Sequence, residues 1–203
     1  MKVTKKWLRF KEIMTYTDYR LIELGVCNVK TEDIIALSLW PPNKLASDDK
    51  MEHLKKLVKE NGWDDPFPQT INLLLLPSGK YTVCEGGNHR PILACELGIP
   101  EIQAYVSVVI PCELISEHNR ESIKNLDERR KEVSKLAKKR NNELDSKGIY
   151  RRNFETEENQ LTQIYQQIDK IEEYIQNILK NEAVKLNILP NRFATPNINF
   201  FYK

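Results

Sequence analysis

The stretch Tyr81-Thr-Val-Cys-Glu-Gly-Gly-Asn-His-Arg-Pro-Ile-Leu-Ala-Cys-Glu-Leu-Gly-Ile-Pro-Glu-Ile102 decides how this chain is read. Tyr81 to Glu85 reads as a strand and Gly86-Gly87 as a loop. Asn88 to Leu97 reads as a helix, closed by Gly98 and barred from continuing by Pro100. A strand that turns through glycines into a helix aims unsatisfied N–H groups, and the positive end of the helix dipole, at whatever sits above the loop. Glycine also lets the backbone come close to a ligand and take a positive φ. Asn88, His89 and Arg90 add donor-capable side chains in the first turn, and the Arg90 fork fits phosphate oxygens. Pro91 suits a first turn, where its missing N–H costs little. The pattern outlines an anion site with phosphate as the ligand group, built from Gly86, Gly87, Asn88, His89 and Arg90.

Working outward, residues 31–111 alternate strand and helix signals. Asp33 to Leu39 reads as a strand stopped by Pro41-Pro42. Ser47-Asp48-Asp49 supplies an N-cap and early negative charge for a helix with an apolar face of Met51, Leu54, Leu57 and Val58, ended by Gly62. Thr70 to Leu76 and Tyr81 to Glu85 read as a hairpin across Pro77-Ser78-Gly79, and Glu101 to Ile110 as a further strand. The expectation is an α+β domain on about 80 residues, with a small mixed sheet. Residues 1–30 read as a helical segment: Trp7, Phe10, Met14 and Leu21 lie near one face and Gly25 is a stop.

Residues 112–189 change character and read as a helical extension, with residues 190–203 an irregular tail. From Glu113 to about Lys147 apolar positions are sparse: Ile115, Ile123, Leu126, Val133 and Leu136. From Glu155 to about Asn181 a heptad stripe runs through Leu161, Ile164, Ile168, Ile171, Ile175 and Ile178. With Gly148 as a natural bend, this predicts a helical hairpin, or a coiled-coil-like helix offered to a second copy or a protein partner over 113–181. Arg129, Arg130, Lys131, Lys135, Lys138, Lys139 and Arg140 form a basic run facing one acidic residue, Glu132. That run reads either as DNA phosphate contact or as a solvated helix face, and the acidic helix after it could neutralise it in a hairpin.

The chain has 203 residues, 31 basic and 29 acidic, for a net charge of +2 that conceals this split. No apolar run approaches the 18 residues of a membrane span, and no apolar stretch follows the charged N-terminus as in a secretory signal. Seven glycines and ten prolines are too few for a collagen-like or flexible low-complexity chain. Cys27, Cys84, Cys95 and Cys112 form neither a disulfide framework nor a zinc spacing, so a reducing, cytoplasmic setting is expected. Cys84 and Cys95 flank His89, yet their spacing reads as buried small hydrophobes. His53 and His118 fall on charged helical faces. Asp64 and Asp65 precede the hairpin, where they would reach a ligand or simply cap a turn.

The box Gly86-Gly87-Asn88-His89-Arg90, with its flanks in order, resembles the ParB/sulfiredoxin superfamily. Those flanks are Pro42-Asn43 after the first strand, Gly62 closing a helix, Pro68 to Ile71 opening a strand, Leu97 to Pro100, and a Val-rich last strand. The resemblance spans about residues 31–110 and implies a ParB-like N-terminal domain that binds a nucleotide in a DNA-related role, in partition, phage or plasmid biology. A nucleoside triphosphate with Mg²⁺ is the implied cofactor. The departures are informative. Sulfiredoxins hold a catalytic cysteine where this chain has Asn88, so sulfinic-acid reduction is not expected. The ParB box reads Gly-Glu-Arg-Arg-x-Arg; Gly87 and Arg90 match, whereas Asn88, His89 and Ile92 differ. A second ParB box, Glu-Asn-x-x-Arg-Glu-x-Leu, is echoed at Arg120, Glu121 and Ile123 without its leading pair, and no helix-turn-helix signature follows.

Two other function classes stand beside the nucleotide-binding one. The superfamily includes nucleases, for which Glu85 beside the glycine loop would hold a metal or act as general base, with His89 the other catalytic candidate. Alternatively the domain is a scaffold and the C-terminal helices bind a protein partner.

Overall fold

The computed structural model describes residues 5–64, 67–146 and 155–195, with side chains described for 5–64, 67–143 and 160–195. It is a mixed α+β chain dividing into two compact units, Met1–Cys112 and Glu113–Lys203.

The first unit is built on a six-stranded mixed sheet. Its strands are β1 (Leu8–Arg9), β2 (Tyr19–Lys30), β3 (Ile34–Leu37), β4 (Asn72–Leu75), β5 (Tyr81–Glu85) and β6 (Glu101–Pro111), in the order β1-β3-β5-β4-β6-β2. β1, β3 and β5 run parallel; β4 is antiparallel to β5 and parallel to β6, and β2 is antiparallel to β6. Helices α1 (Phe10–Ile13), α2 (Pro42–Leu45), α3 (Asp49–Asn61) and α4 (His89–Leu97) connect them. Ile34, Leu73, Val83, Ile102, Val106 and Val108, all at most 1–2 % exposed, bring the strands' inward positions into one core. Strand alternation turns Leu74 and Leu76 to the other face, where they meet Val109, Phe10, Ile13, Met14 and Tyr16 in a second cluster.

Local signals place α3 and the hairpin. The Asp48 carboxylate accepts the Met51 N–H at 2.8 Å as N-cap, and Gly62 closes α3 with φ +80°. β4 and β5 join through a turn in which Gly79 N–H donates to the Leu76 carbonyl at 2.9 Å. Within α3 only Met51 is buried, and Leu57, expected on the apolar face, is 40 % exposed. Gly98 ends α4 in the left-handed conformation.

The N-terminal expectation is overturned. Residues 8–30 hold a short strand, one turn of helix and the twelve-residue strand β2, where the helical period of Trp7, Phe10, Met14 and Leu21 had predicted a helix. β2 pairs with β6 from Tyr19 opposite Pro111 to Lys30 opposite Glu101, and its register shifts between Glu23 and Gly25. Leu24 is the extra residue of that bulge, so the inward phase moves from Ile22 to Val29, an even and an odd position. The bulge erases the period-2 signal, and Gly25 at φ +77° serves it rather than ending a helix.

The second unit contains α5 (Glu117–Ser146) and α6 (Glu155–Lys185). They pack antiparallel: Ser116 and Asn119 meet Glu182, Arg130 meets Glu172, and Asn141 meets Tyr165. Ile115, Ile123, Leu126, Val133 and Ala137 of one arm and Ile171, Ile175, Leu179 and Ala183 of the other are buried. Of the heptad stripe of α6, Ile171 and Ile175 are buried and Leu161, Ile164, Ile168 and Ile178 are half-buried, while Leu136, expected among the apolar positions, is 58 % exposed. Gly148, the expected bend, lies outside the described residues.

Candidate functional site

β3 and β5 are parallel neighbours, so their carboxyl ends lie at the same edge of the sheet. β3 leads through Ser38–Pro41 toward α2 and α3, and β5 leads through Gly86-Gly87 into α4. Edges of this kind, where parallel strands hand over to helix N-termini, are where open α/β sheets place ligands.

The two glycines take φ +45° and φ +69°. Gly87 has a second reason to be glycine: a Cβ there would lie 2.8 Å from Ile71 Cα and 2.9 Å from the Thr70 carbonyl. The loop is pressed onto the chain entering β4. A Cβ at Gly86 would make only ordinary contact, 3.5 Å from the Thr70 carbonyl.

Asn88 is buried and its amide is committed to the end of β3. Its Oδ1 accepts from the Ser38 N–H at 2.9 Å and the Leu39 N–H at 3.2 Å, and its Nδ2 donates to Ser38 Oγ at 2.9 Å. His89, also buried, puts Nε2 2.8 Å from Asp48 Oδ2 at the N-cap of α3. The His89 hydrogen bond, with the Met51 N–H behind it, holds the Asp48 carboxyl below the usual carboxylate range. Arg90 is half-buried and donates from Nη1 to the Phe67 carbonyl at 3.1 Å. Side chains of the box therefore tie three distant segments to α4.

Around this hub stand exposed apolar groups that sequence reading left out: Leu39, Trp40 and Phe67, at 52 %, 42 % and 58 % exposure. The Arg9 guanidinium lies 5.0 Å from the Trp40 ring centroid. Asp48 was legible as a cap but not as the partner of His89, and the Ser38 and Leu39 amides carried no signal at all. Sequence separations of about 40 and 50 residues hide such pairs.

Glu85 is exposed and stands opposite Asn72 in the ladder. Among the described residues no group of three His, Cys, Asp or Glu side chains is placed to hold a metal ion. Cys84 instead donates to the Asn72 carbonyl at 3.4 Å, and burial pushes its thiol pKa up. Asp64 lines a cavity of about 300 Å³ with Asn28, Trp63, Glu101, Ile102 and Gln103; Asp65 lies outside the described residues. His53 and His118 are exposed.

The basic run divides between two environments. Arg130 pairs with Glu172 and Asp127, and Arg140 with Glu143 and Gln160. Arg129, Lys131, Lys135, Lys138 and Lys139 are exposed. Compared with known proteins, this chain matches no family model, no curated protein and no solved structure.

Proposed function

We propose that residues 31–111 form a ParB/sulfiredoxin-like domain that binds a nucleotide or another phosphate-bearing ligand at Gly86–Arg90. The reading places the protein in DNA-related work of the partition, phage or plasmid kind. The observation that carries it is the strand–glycine loop–helix turn, with two consecutive left-handed glycines at the shared carboxyl edge of β3 and β5 and Arg90 in the first turn of α4. Phosphate oxygens there would accept from the loop and first-turn N–H groups and from Arg90. Asn88 and His89 act in this reading by fixing the loop rather than by touching ligand. Mg²⁺ bound chiefly through substrate phosphates needs only one or two protein carboxylates, and Glu85 is the one beside the loop. The ion would supply charge neutralisation between phosphates.

Calorimetric titration of CTP, ATP and GTP, each with and without Mg²⁺, tests the assignment. Binding of at least one nucleotide, weakened tenfold or more by Arg90→Ala, is the expected result. Unchanged affinity in Arg90→Ala overturns it.

The exposed basic positions favour DNA as a second ligand. Helix pairing engages Arg130 and Arg140, while Lys131, Lys135 and Lys138 follow one another at i, i+4 and i+7 on an exposed face of α5. Such a face would meet phosphates without reading sequence.

A further inference from the structure

The C-terminal end of α4 borders a cavity of about 590 Å³, lined by Lys5, Lys30, Thr31, Glu32, Cys95, Gly98, Ile99, Pro100 and Glu101. It lies at the other end of α4 from Arg90, about 13 Å away along a nine-residue helix. Two observations mark it. Its wall is largely apolar, through Ile99, Pro100 and the half-buried Cys95, while the charged rim residues Lys30, Glu32 and Glu101 are exposed. Lys5 enters as a half-buried cation: Nζ donates to the Thr31 carbonyl at 2.6 Å and the Glu32 carbonyl at 3.2 Å, and sits 4.8 Å from the Trp7 ring centroid.

Each feature asks for the same complement. An ammonium has three donors, and two of those on Lys5 are used, so one remains. Burial lowers the Lys5 pKa, while Cys95, Asp33 and Glu32 act in the opposite sense. The walls are held at fixed spacing, because Thr31 N–H donates to the Pro100 carbonyl at 2.9 Å and joins the end of β2 to the turn after α4. A carboxylate would accept the remaining Lys5 N–H, and an aliphatic or aromatic body would cover Ile99 and Pro100.

We propose that this cavity is a second ligand site, separate from the Gly86–Arg90 loop, taking a small monocarboxylate with an apolar body. Lys5 is its charge anchor and Ile99 part of its apolar wall.

The test is calorimetric titration of the full-length chain with octanoate and benzoate, with octanol and octylamine as controls. One-to-one saturable binding of a carboxylate, at least tenfold tighter than either control, is expected. Lys5→Met should weaken it tenfold or more and Lys5→Arg should retain most of it. Ile99→Trp keeps the Lys5 ammonium and fills the cavity, so it should abolish binding, and it serves as the second variant if Lys5→Met fails to fold. Absence of saturable carboxylate binding overturns the proposal. So does octanol binding as well as octanoate, or unchanged affinity in a folded Ile99→Trp chain. Arg90→Ala should leave octanoate affinity unchanged, which separates this site from the nucleotide reading.

Discussion

His89 Nε2 lies 2.8 Å from Asp48 Oδ2, so the first turn of α4 is fastened to the N-cap of α3 across 41 residues of sequence. The same carboxylate caps its own helix through Oδ1, which accepts from Met51 N–H at 2.8 Å. One side chain therefore terminates α3 and positions the glycine loop. Replacing His89 by Ala should lower the unfolding midpoint and loosen the loop, read as faster amide exchange at Gly86–Asn88. Unchanged exchange there would show that the pair does not hold the loop.

Acid should release this fastening. A carboxyl held below its ordinary range contributes fully above that range and loses its contribution as pH falls through its folded value. Asp48→Asn should therefore flatten the pH dependence of urea stability on the acid side, while changing little of its slope above pH 6. An identical acid profile in wild type and variant would refute this.

Gly87→Ala places a methyl 2.8 Å from Ile71 Cα, against backbone that cannot swing aside. Overpacking of this kind costs about 1–3 kcal/mol. Gly86→Ala meets no such wall and should cost less, so the order of the two urea midpoints is the measurement.

Asn88→Ala removes the acceptor of the Ser38 and Leu39 N–H groups, of which Ser38 is half-buried and Leu39 exposed. An unsatisfied group costs about 1–3 kcal/mol where water cannot replace its partner, so equilibrium unfolding should show a loss of about 1 kcal/mol or more. Asn88→Asp keeps the acceptor but loses the donor to Ser38 Oγ and puts a carboxylate at a site only 1 % exposed, so it too should destabilise the chain.

In the helical unit, Glu182 is buried and accepts from Ser116 N–H, Asn119 and Lys185. Burial alone would raise its pKa; those three donors outweigh it and hold the carboxyl below the usual range. Its contribution is complete above that range and disappears as pH falls, so acid should melt α5 and α6 more readily in wild type than neutral pH does. Glu182→Gln should blunt that acid transition, followed by helical circular dichroism. Ile175→Ala, at a site only 3 % exposed, should cost about 2–5 kcal/mol at neutral pH.

If α5 meets DNA, Lys131→Ala, Lys135→Ala and Lys138→Ala together should flatten the dependence of log affinity on log salt, by about 0.9 per lost phosphate contact. A salt slope equal to that of the wild type would remove this face from the interface.

Much of the fold was legible because its causes are local. Asp48 before an amphipathic run, Gly62 and Gly98 after one, and Pro77-Ser78-Gly79 between two apolar runs place α3, α4 and the β4–β5 hairpin within a few residues. The α6 stripe was legible in the same way, since period is a property of neighbouring residues. β2 was not, because the bulge at Leu24 splits its alternation and the edge of β6 supplies what local propensity lacks.

The site divides along the same line. Sequence by itself determined that a glycine loop opens a helix carrying Asn88, His89 and Arg90, since chain adjacency puts those groups in one turn. Only the tertiary structure decided what each side chain does: Asn88 holds Ser38 and Leu39, His89 meets Asp48, Arg90 reaches Phe67, and Gly87 lies against Ile71. Backbone conformation follows from near neighbours, whereas a buried polar group must find its partner wherever packing brings one, here 23 to 50 residues away.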